Sequence, residues 1–536
     1  MLFSELVQNI PTLNSSGGLD CPIKGIAWDS RQVKPGYLFV CLQGQTFDGH
    51  DFLGQALERG AAGLVVGSRS AIREAREVPW VQVKNPRRCL APLAAAFFGH
   101  PSKKLQLVGI TGTNGKTTTS YLVQSVYEAA GHPAAVMGTT GVRFRTFYRD
   151  MEMTTPEAPR VQEIFASLVQ RGASAAAMEV SSHALAQERV ASCRFQAAIF
   201  TNLTRDHLDY HITMEEYLRA KTRLFQGPEV YRPRFAVLNA DDPAYPYLKA
   251  RALMPVISYG LGPGAAVRAD EVRENRGEAF GQTFQLITPR GSLAMRLNLP
   301  EDFNLYNALA AAALGIGEGF TLDVIKQGLE GLKRVPGRLE PLPVPGGFRV
   351  ILDYAHTPDA LEKALAFLKK QNPRRLLLVF GCPGERDKGK RPLMGRIASR
   401  YCDLVVLTAD NPAREKASDI INDIQAGVTA ASYAIPDRET AVHFALSRAK
   451  PGDLILLAGK GHETYQLIGR DRIPYSDRLA VKRFFASGWD EEAELTYPQP
   501  GFGGLQKFPP LKGAGVSDKS VPVPDGPHGP SPGSPP

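Results

Sequence analysis

The sequence has few cysteines and no long apolar run. Its six cysteines lie far apart among 536 residues and form no CxxC pair, a usage typical of a reducing compartment rather than of a disulfide framework or a zinc site. No apolar run approaches the ~18 residues of a membrane span. The first charged side chain is acidic, whereas a targeting segment begins with basic residues. We therefore expect a cytoplasmic protein without membrane insertion.

The composition is that of an ordinary globular protein. Hydrophobic residues make up 43% and charged residues 22% of the chain, which excludes collagen-like, coiled-coil and wholly disordered classes. The length predicts about three domains. The formal charge of +9 is weak evidence for nucleic acid, because an anionic small substrate explains it equally well.

Proline and glycine are concentrated at the carboxyl end. Residues 497–536 hold 11 of the 41 prolines and 8 of the 51 glycines. Such a segment cannot bury a core. We predict a disordered tail at 493–536.

The rest of the chain predicts the α/β fold class with three domains. Residues 1–100 have short apolar runs and end in an alanine-rich helix, which indicates a small α/β domain. Residues 101–338 alternate apolar strands with helices, which predicts a P-loop ATPase-like parallel sheet with helices on both faces. A second such series fills 339–492 and predicts a Rossmann-like domain.

The most specific motif is the loop at 112–118, between a predicted strand and a predicted helix. In such a loop, glycines let backbone N–H groups surround phosphates, Lys116 neutralises the β- and γ-phosphates, and the Thr117 hydroxyl can bind Mg²⁺. The strict GxxxxGK[ST] pattern is not met, because Ile110 replaces the first glycine and Gly109 lies one residue earlier. The flanking strand and helix still favour an ATP site.

Two polar clusters follow later strands. Glu179 ends an apolar run, at the sheet edge where ligands and metals bind. Alternatively, Glu179 could cap the next helix and have a purely structural role. Spacing alone does not distinguish a ligand-binding role from a capping role. Residues 205–211 contain two His and two Asp, which can supply metal ligands and hydrogen bonds to phosphate. Lys221 lies on the predicted amphipathic helix 215–225, and its pattern alone predicts a solvated surface lysine.

These motifs resemble those of the Mur ligase family, and within it those of the MurE type. The resemblance rests on residues 112–118, 178–183, 202–211 and 353–358, which occur in order and at family-like spacing. It covers roughly residues 20 to 490, and the combined motifs are far more specific than any single loop.

The resemblance implies an ATP-dependent amide ligase of peptidoglycan biosynthesis. ATP would phosphorylate the D-Glu carboxylate of UDP-N-acetylmuramoyl-L-alanyl-D-glutamate, and a diamino acid would attack the acyl phosphate. The implied cofactors are ATP and Mg²⁺, with Thr117 and Glu179 at one ion and His207 and Lys221 at a second. In this family the lysine matching Lys221 is carbamylated to N6-carboxylysine, so the resemblance opposes the surface interpretation of this residue.

The resemblance also implies the functional residues. Those implied in catalysis are Lys116, Glu179, His207 and Lys221. Those implied in ATP binding are Gly112, Thr113, Asn114, Gly115, Lys116, Thr117, Thr118, Asn304, Asn307, Arg338 and Asp353. From the residues alone, Arg338 could instead form a linker salt bridge.

The first domain would bind the UDP-sugar. The neighbouring central domain would bind the dipeptide. The residues implied in binding UDP-N-acetylmuramoyl-dipeptide are Trp28, Ser30, Gln45, Thr46, Phe47, Thr154, Thr155, Ser181, Gln187 and Arg189. The third domain would select the amino acid, and the residues implied there are Arg386, Asp410, Asn411, Pro412, Ala413, Gly459 and Glu463. In that pocket Glu463 suits an ammonium group and Arg386 suits a carboxylate.

The identity of the added amino acid stays open at this stage. Family members that use meso-2,6-diaminopimelate usually have Arg at the position of Ala413, whereas the present segment resembles some lysine-adding relatives. Arg414 could supply the missing charge if the loop shifts. We expect meso-2,6-diaminopimelate, with L-lysine as the alternative.

Other functions remain as alternatives. A folylpolyglutamate synthetase-like ligase would share the loop and the acyl phosphate but lack the 29–31 and 410–412 motifs. A non-catalytic P-loop switch or scaffold would need no amine pocket. We expect a monomer whose partners are small molecules and not nucleic acid.

Overall fold

A computed structural model describes residues 1–44, 47–67, 78–227, 232–275, 281–299 and 302–485. The predicted tail at 493–536, like Gln45 and Thr46, lies outside the described residues. No helix among the residues described is long and apolar enough to cross a membrane.

The amino-terminal part forms a five-stranded sheet. The strand order is β1-β5-β4-β3-β2, parallel except for β1. The elements are strands β1 Thr12–Ser15, β2 Gly25–Ala27, β3 Tyr37–Val40, β4 Ala61–Val66 and β5 Trp80–Val83, and helices α1 Phe3–Val7, α2 Leu53–Glu58 and α3 Pro86–Phe97. Short 3-10 turns lie at Ser30–Gln32 and Gly49–Phe52. The predicted small α/β domain and its closing helix are thus observed.

The central part forms an eleven-stranded sheet in the order β16-β15-β14-β13-β12-β11-β6-β10-β7-β8-β9. Its strands are β6 Gln106–Thr111, β7 Ala134–Gly138, β8 Gly141–Phe144, β9 Phe147–Arg149, β10 Ala175–Glu179, β11 Ala197–Phe200, β12 Phe235–Asn239, β13 Val256–Gly260, β14 Val267–Asn275, β15 Gly281–Thr288 and β16 Gly291–Leu297. Its helices are α4 Lys116–Ala129, α5 Ala158–Gln170, α6 Ser182–Ala186, α7 Leu208–His211, α8 Met214–Thr222, α9 Tyr245–Arg251, α10 Asp302–Glu318 and α11 Leu322–Gly331. Short 3-10 turns lie at Pro101–Lys104 and Arg223–Phe225.

The two faces of this sheet carry separate cores. On β6, Leu107 packs with helix α5, whereas Val108 and Ile110 pack with α4 and α10. This alternation follows from the period of two along a strand. Helices therefore cover both faces, as predicted.

The predicted parallel sheet is observed at the centre, and antiparallel strands extend both of its edges. The strands from β7 through β10, β6, β11, β12 and β13 to β14 are parallel, but β8 and β9 extend one edge as an antiparallel hairpin, and β15 and β16 extend the other. β15 alternates buried and half-buried positions, the pattern of an edge sheet with one covered face rather than of a doubly covered parallel strand.

The carboxyl-terminal part forms a six-stranded sheet in the order β17-β18-β22-β19-β20-β21, parallel except for β17. Its strands are β17 Glu340–Leu342, β18 Arg349–Asp353, β19 Leu376–Phe380, β20 Leu404–Leu407, β21 Ser432–Ala434 and β22 Leu454–Ala458, followed by the separate hairpin β23 Tyr465–Ile468 and β24 Asp471–Pro474. Its helices are α12 Pro358–Lys370, α13 Lys390–Tyr401, α14 Ala417–Gln425, α15 Arg438–Arg448 and α16 Asp477–Phe484.

A strained turn connects α7 to α8. Ile212 has φ 63° and ψ −53°, and the carbonyl of His211 accepts a 2.6 Å hydrogen bond from the N–H of Thr213. These values define a γ-turn of the rare, strained type. A β-branched residue is poorly suited to positive φ, and the Ile212 side chain is 75% exposed, so little burial offsets the strain.

We expect Ile212→Gly to stabilise the protein. Relief of a strain of roughly 1 to 3 kcal/mol exceeds the entropic cost of a glycine, roughly 0.5 to 1 kcal/mol. The melting temperature should rise by about 2 °C in a thermal scan. Leu253→Gly is the matched control, because Leu253 is also exposed and is not among the residues at positive φ. An equal or lower melting temperature for Ile212→Gly than for wild type would contradict the assignment of strain.

Candidate active site

A single cavity of about 800 Å³ runs from the carboxyl edge of the central sheet to that of the third sheet. Ligands bind at such edges in open α/β sheets. Most of the predicted site residues line this cavity. Those described but not among its lining residues are Trp28, Ser30, Phe47, Gln187 and Pro412.

The phosphate loop lies between β6 and α4 and depends on two glycines. Gly112 has φ 148°, and a Cβ there would collide with the hydroxyl of Thr201. Gly115 has φ 84° and lies against the Asn307 amide. The loop thus leads directly into the amino end of a 14-residue helix, where free N–H groups and the helix dipole favour an anion.

Lys116 lies over this loop. Its ammonium donates hydrogen bonds to the carbonyls of Gly112 (3.0 Å) and Thr113 (2.8 Å). Burial lowers its pKa, against the opposing influence of Glu179 and Asp206. A phosphate group would replace these carbonyls as a stronger, charged acceptor.

Glu179 is completely buried at the end of β10. Its carboxylate accepts hydrogen bonds from the backbone N–H (2.9 Å) and the hydroxyl (3.0 Å) of Thr139. The following helix is instead capped by Ser181, whose hydroxyl accepts from the N–H of Ala184. The interpretation of Glu179 as that cap is therefore wrong.

The expectation of a solvated Lys221 is also wrong. This side chain is 1% exposed, and its ammonium nitrogen lies 4.2 Å from the centre of the Tyr217 ring. Burial, with repulsion from Lys116, holds its pKa well below the usual value. Lys221 lies with Tyr217 on the buried side of α8, which faces the cavity, whereas Glu215, Glu216 and Arg219 form the exposed side of the helix.

His207 lies beside Lys221 at the cavity. Its ring nitrogen is 3.4 Å from the Asp206 carboxylate, and its ring centre is 4.9 Å from that of His183. Burial lowers the pKa of His207 despite the attraction of Asp206. A neutral imidazole is able to ligate a metal.

The donor set fits Mg²⁺ bound largely by substrate. No group of three His, Cys, Asp or Glu side chains in the described part of the chain is arranged to hold a metal. The available donors are the Thr117 hydroxyl, the Glu179 carboxylate, the neutral His207 and a Lys221 able to carry a carboxylate. Proteins usually bind Mg²⁺ through only a few side chains, and phosphate oxygens of the substrate complete its coordination.

Arg338 brings the third sheet to the phosphate loop. Its guanidinium donates a 2.9 Å hydrogen bond to the Thr117 hydroxyl and lies 4.8 Å from the Tyr354 ring centre. The Nε of Arg338 is buried and has no hydrogen-bond partner among the described residues. Arg338 forms no ion pair within the described ranges, so nothing there supports the alternative of a linker salt bridge.

Three further predicted ATP residues are held by internal hydrogen bonds. Asp353 accepts from the N–H groups of Leu339 and Ala355, both at 2.7 Å, and burial raises its pKa. On α10, Asn307 donates to Asn304 at 3.2 Å. All three side chains are buried yet border the cavity, so they shape its wall.

The predicted dipeptide residues form one hydrogen-bonded group. Arg189 donates to the Thr155 carbonyl (2.8 Å) and to Gln187 (2.6 Å), and lies 3.2 Å from Glu157. Thr154, Thr155, Ser181 and Arg189 line the cavity. Gln187 does not line the cavity, and its hydrogen bond from Arg189 orients that side chain.

The described residues predicted to bind uridine, Trp28, Ser30 and Phe47, lie in loops and a 3-10 turn of the amino-terminal part and do not line the cavity. Ser30 donates to Gln55, and Phe47 is 67% exposed with its ring centre 6.4 Å from that of Phe52. An exposed aromatic ring is available for stacking.

The residues predicted to bind the amino acid include both acidic and basic side chains. Glu463 accepts from Asn411 (3.0 Å) and Tyr354 (3.3 Å) and pairs with the buried Lys460. Asp410 and Gly459 line the same wall. Arg386 is 52% exposed and forms an ion pair with the Asp209 carboxylate at 3.9 Å.

Sequence reasoning missed other side chains of the cavity. Lys390 is 5% exposed, begins α13 and lines the cavity, and Arg472 lines it from the hairpin β23–β24. Arg414, in contrast, is 61% exposed, lies 3.9 Å from Glu385 and is not among the lining residues. No local pattern distinguishes these basic residues, because their placement depends on long-range packing.

The phosphate loop, the amine-compatible wall and the three α/β sheets define the class: a P-loop ligase. Three family models match in order: "Mur ligase family, catalytic domain" at residues 22–98, "Mur ligase middle domain" at 110–315 and "Mur ligase, glutamate ligase domain" at 337–461. The chain belongs to the Mur ligase family, which confirms the resemblance inferred from its motifs.

Individual relatives show which type of Mur ligase this chain resembles. A UDP-N-acetylmuramoyl-L-alanyl-D-glutamate–2,6-diaminopimelate ligase of Geobacillus thermodenitrificans is 44% identical over 489 residues, which cover 90% of this chain and 99% of the relative. The enzyme of the same name from Geobacter metallireducens is 43% identical over 507 residues, covering 90% and 98%.

Solved structures agree in fold. A structure of a UDP-N-acetylmuramoyl-L-alanyl-D-glutamate–2,6-diaminopimelate ligase aligns with a TM-score of 0.63 and 30% identity, over 91% of this chain and 99% of the other. A folylpolyglutamate synthase of Mycobacterium tuberculosis aligns at 0.57 with 16% identity, over 75% and 95%. The latter likeness concerns the fold alone.

Proposed function

We propose that this enzyme joins a diamino acid to the D-Glu carboxylate of UDP-N-acetylmuramoyl-L-alanyl-D-glutamate at the expense of ATP. The observation that carries the proposal is the shared cavity, in which the phosphate loop, Arg189 and Glu463 all take part. Such a cavity can hold a nucleotide, an acid and an amine together, which is the requirement of acyl transfer through a phosphorylated intermediate.

The first step is phosphorylation of the carboxylate. A carboxylate oxygen attacks the γ-phosphorus of ATP, and the bond to the β-phosphate oxygen breaks to release ADP. The N–H groups of the phosphate loop, Lys116 and Arg338 would bind the phosphates and hold them in line. One Mg²⁺ would be held by Thr117 and Glu179 and a second by His207 and carbamylated Lys221; when bound, such ions neutralise charge between the two anions.

The second step is attack by the amine. The neutral amine bonds to the acyl carbon, the bond between that carbon and the phosphate oxygen breaks, and the proton lost by the amine passes to the released phosphate. Glu463 would bind a second ammonium group of the diamino acid and Arg386 a carboxylate. Burial of the reacting groups away from water protects the acyl phosphate from hydrolysis.

The amino acid that we propose is meso-2,6-diaminopimelate, with L-lysine as the alternative. The names of the relatives at 43–44% identity support this choice. Their similarity extends over nearly their whole length, which also disfavours a folylpolyglutamate synthetase-like function.

The division of labour among the domains is part of the proposal. Residues 1–100 would bind the UDP-sugar, with Trp28, Ser30 and the 45–47 segment as contacts; 101–338 would bind ATP, and 339–492 the amino acid. We propose a cytoplasmic monomer, since ATP and nucleotide-linked precursors are cytoplasmic metabolites.

ADP formation with each component omitted in turn tests the function. We expect ADP only when UDP-N-acetylmuramoyl-L-alanyl-D-glutamate and meso-2,6-diaminopimelate are both present, together with a product heavier by one diamino acid residue. ADP formation that no diamino acid stimulates would contradict the ligase and favour a P-loop switch. Stimulation by glutamate with a folate would favour the folylpolyglutamate alternative.

A further inference from the structure

The amine-binding wall of the cavity includes a basic residue that no motif indicates. Arg472 lies on β24 and lines the cavity together with Ala413, Tyr465 and Leu467. Its guanidinium is 4.3 Å from the Tyr465 ring centre and donates a 3.3 Å hydrogen bond to the Glu152 carbonyl. These contacts fix the side chain between the second and third sheets.

Arg472 has no carboxylate partner in the described part of the chain. No ion pair within 4 Å is recorded for it there, whereas Arg386 has Asp209 and Arg414 has Glu385. Aromatic and carbonyl contacts orient a guanidinium but leave its charge uncompensated. A positive group at the edge of a cavity is then available for an anionic part of a ligand.

Backbone pairing sets the distance of Arg472 from the loop at 410–414. The N–H of Ala413 donates to the Leu467 carbonyl at 3.0 Å, Ala413 bridges Ile468, and Leu467 pairs directly with Arg472 across the hairpin. Arg472 is therefore two strand spacings from Ala413, roughly 10 Å. Strand β23 lies between the two residues, and its Tyr465 and Leu467 share one face of the hairpin with Arg472 and line the cavity with it.

The charges on this wall match a ligand with two carboxylates. Glu463 and Asp410 suit ammonium groups, Arg386 suits one carboxylate, and Arg472 provides a second, separate guanidinium. meso-2,6-Diaminopimelate has a carboxylate at each end, whereas L-lysine has hydrogen in place of the distal one. The proposed substrate and its alternative thus differ at the group that Arg472 can bind.

We propose that Arg472 binds the distal carboxylate of the diamino acid and thereby selects meso-2,6-diaminopimelate over L-lysine. The proposal rests on the proposed ligase function. It assigns to Arg472 the role that the sequence suggested for Arg414, whose side chain points to Glu385 and does not line the cavity.

Steady-state kinetics with two amines test this role. For Arg472→Ala we expect kcat/KM for meso-2,6-diaminopimelate to fall roughly 10- to 150-fold, mainly through KM, because a charged hydrogen bond remote from the reacting amine is lost. The value for L-lysine should change by less than about twofold, because that ligand lacks the group. Arg472→Lys should recover part of the loss with meso-2,6-diaminopimelate.

Arg414→Ala is the matched control. It removes an exposed arginine that follows the lining residue Ala413 but does not itself line the cavity, and kcat/KM for both amines should stay within about twofold of wild type. The amide of the distal carboxylate, used as a third substrate, should be as insensitive to Arg472→Ala as L-lysine is.

Two results would overturn the proposal. One is an equal loss with both amines, which indicates a general structural role for Arg472. The other is an unchanged kcat/KM for meso-2,6-diaminopimelate in Arg472→Ala. Failure of the ligase function itself is recognised separately, since wild-type protein would then form no amine-dependent ADP with either amine.

Discussion

Lys221→Ala is expected to reduce ligase activity by roughly 100-fold or more. Lys221 is buried in the cavity beside His207, and burial together with repulsion from Lys116 lowers its pKa, which favours the neutral amine. Such an amine can attack CO2, forming a nitrogen–carbon bond and releasing a proton, which yields a carbamate that binds a metal. Alanine has neither the amine nor the carboxylate.

The matched variants separate this role from packing. Lys221→Glu should retain part of the activity because it supplies a carboxylate, and high bicarbonate should not restore Lys221→Ala. Lys249→Ala is the control, since Lys249 also lies near a tyrosine ring but is exposed. Labelled bicarbonate should give a carbamate carbon signal by NMR in wild type and none in Lys221→Ala. Wild-type activity of Lys221→Ala would refute the metal role.

Arg338→Ala is expected to lower kcat by roughly 1000-fold. Arg338 reaches the Thr117 hydroxyl from the third sheet and keeps a buried Nε–H without a described partner. A guanidinium in that position would stabilise the charge of the transferring phosphoryl group. Single-turnover ADP formation measures this step directly.

The companion variants for Arg338 test geometry against charge. Arg338→Lys keeps the charge but loses the planar fork, so we expect an intermediate kcat. Arg374→Ala, at an exposed arginine near the amino end of β19, should leave kcat unchanged. If Arg338→Ala lowered only the melting temperature, Arg338 would serve packing and not catalysis.

The parallel strands were predictable because their residues form continuous apolar runs. β6, β10, β11 and β22 all fall where such runs occur, and α4 begins directly after Gly115 of the phosphate loop. The antiparallel edges of the central sheet escaped prediction, because single hairpins such as β8–β9 have weak, short patterns.

The phosphate loop was predictable from local sequence, and the buried lysine was not. The geometry at 112–118 depends on glycines that the sequence displays. The burial of Lys221, by contrast, arises because it lies with Tyr217 on the side of α8 that faces a cavity made by distant segments. Only the resemblance to a family opposed the surface interpretation.

The place of Arg472, the residue proposed to select the amino acid, could not be predicted from local sequence either. Its place at the cavity, two strands away from Ala413, follows from the register of a hairpin about 60 residues later in the chain and from no local motif. Neighbouring Arg414 is closer in sequence, yet its side chain lies outside the cavity lining. Sequence distance was therefore a poor guide to which cation faces the ligand.

The fate of the carboxylate oxygen tests the central claim most directly. UDP-N-acetylmuramoyl-L-alanyl-D-glutamate would be prepared with heavy oxygen in the terminal D-Glu carboxylate and incubated with the enzyme, ATP and meso-2,6-diaminopimelate. An acyl-phosphate mechanism predicts one labelled oxygen in each phosphate released with the amide product. Amide product accompanied by unlabelled phosphate would contradict it.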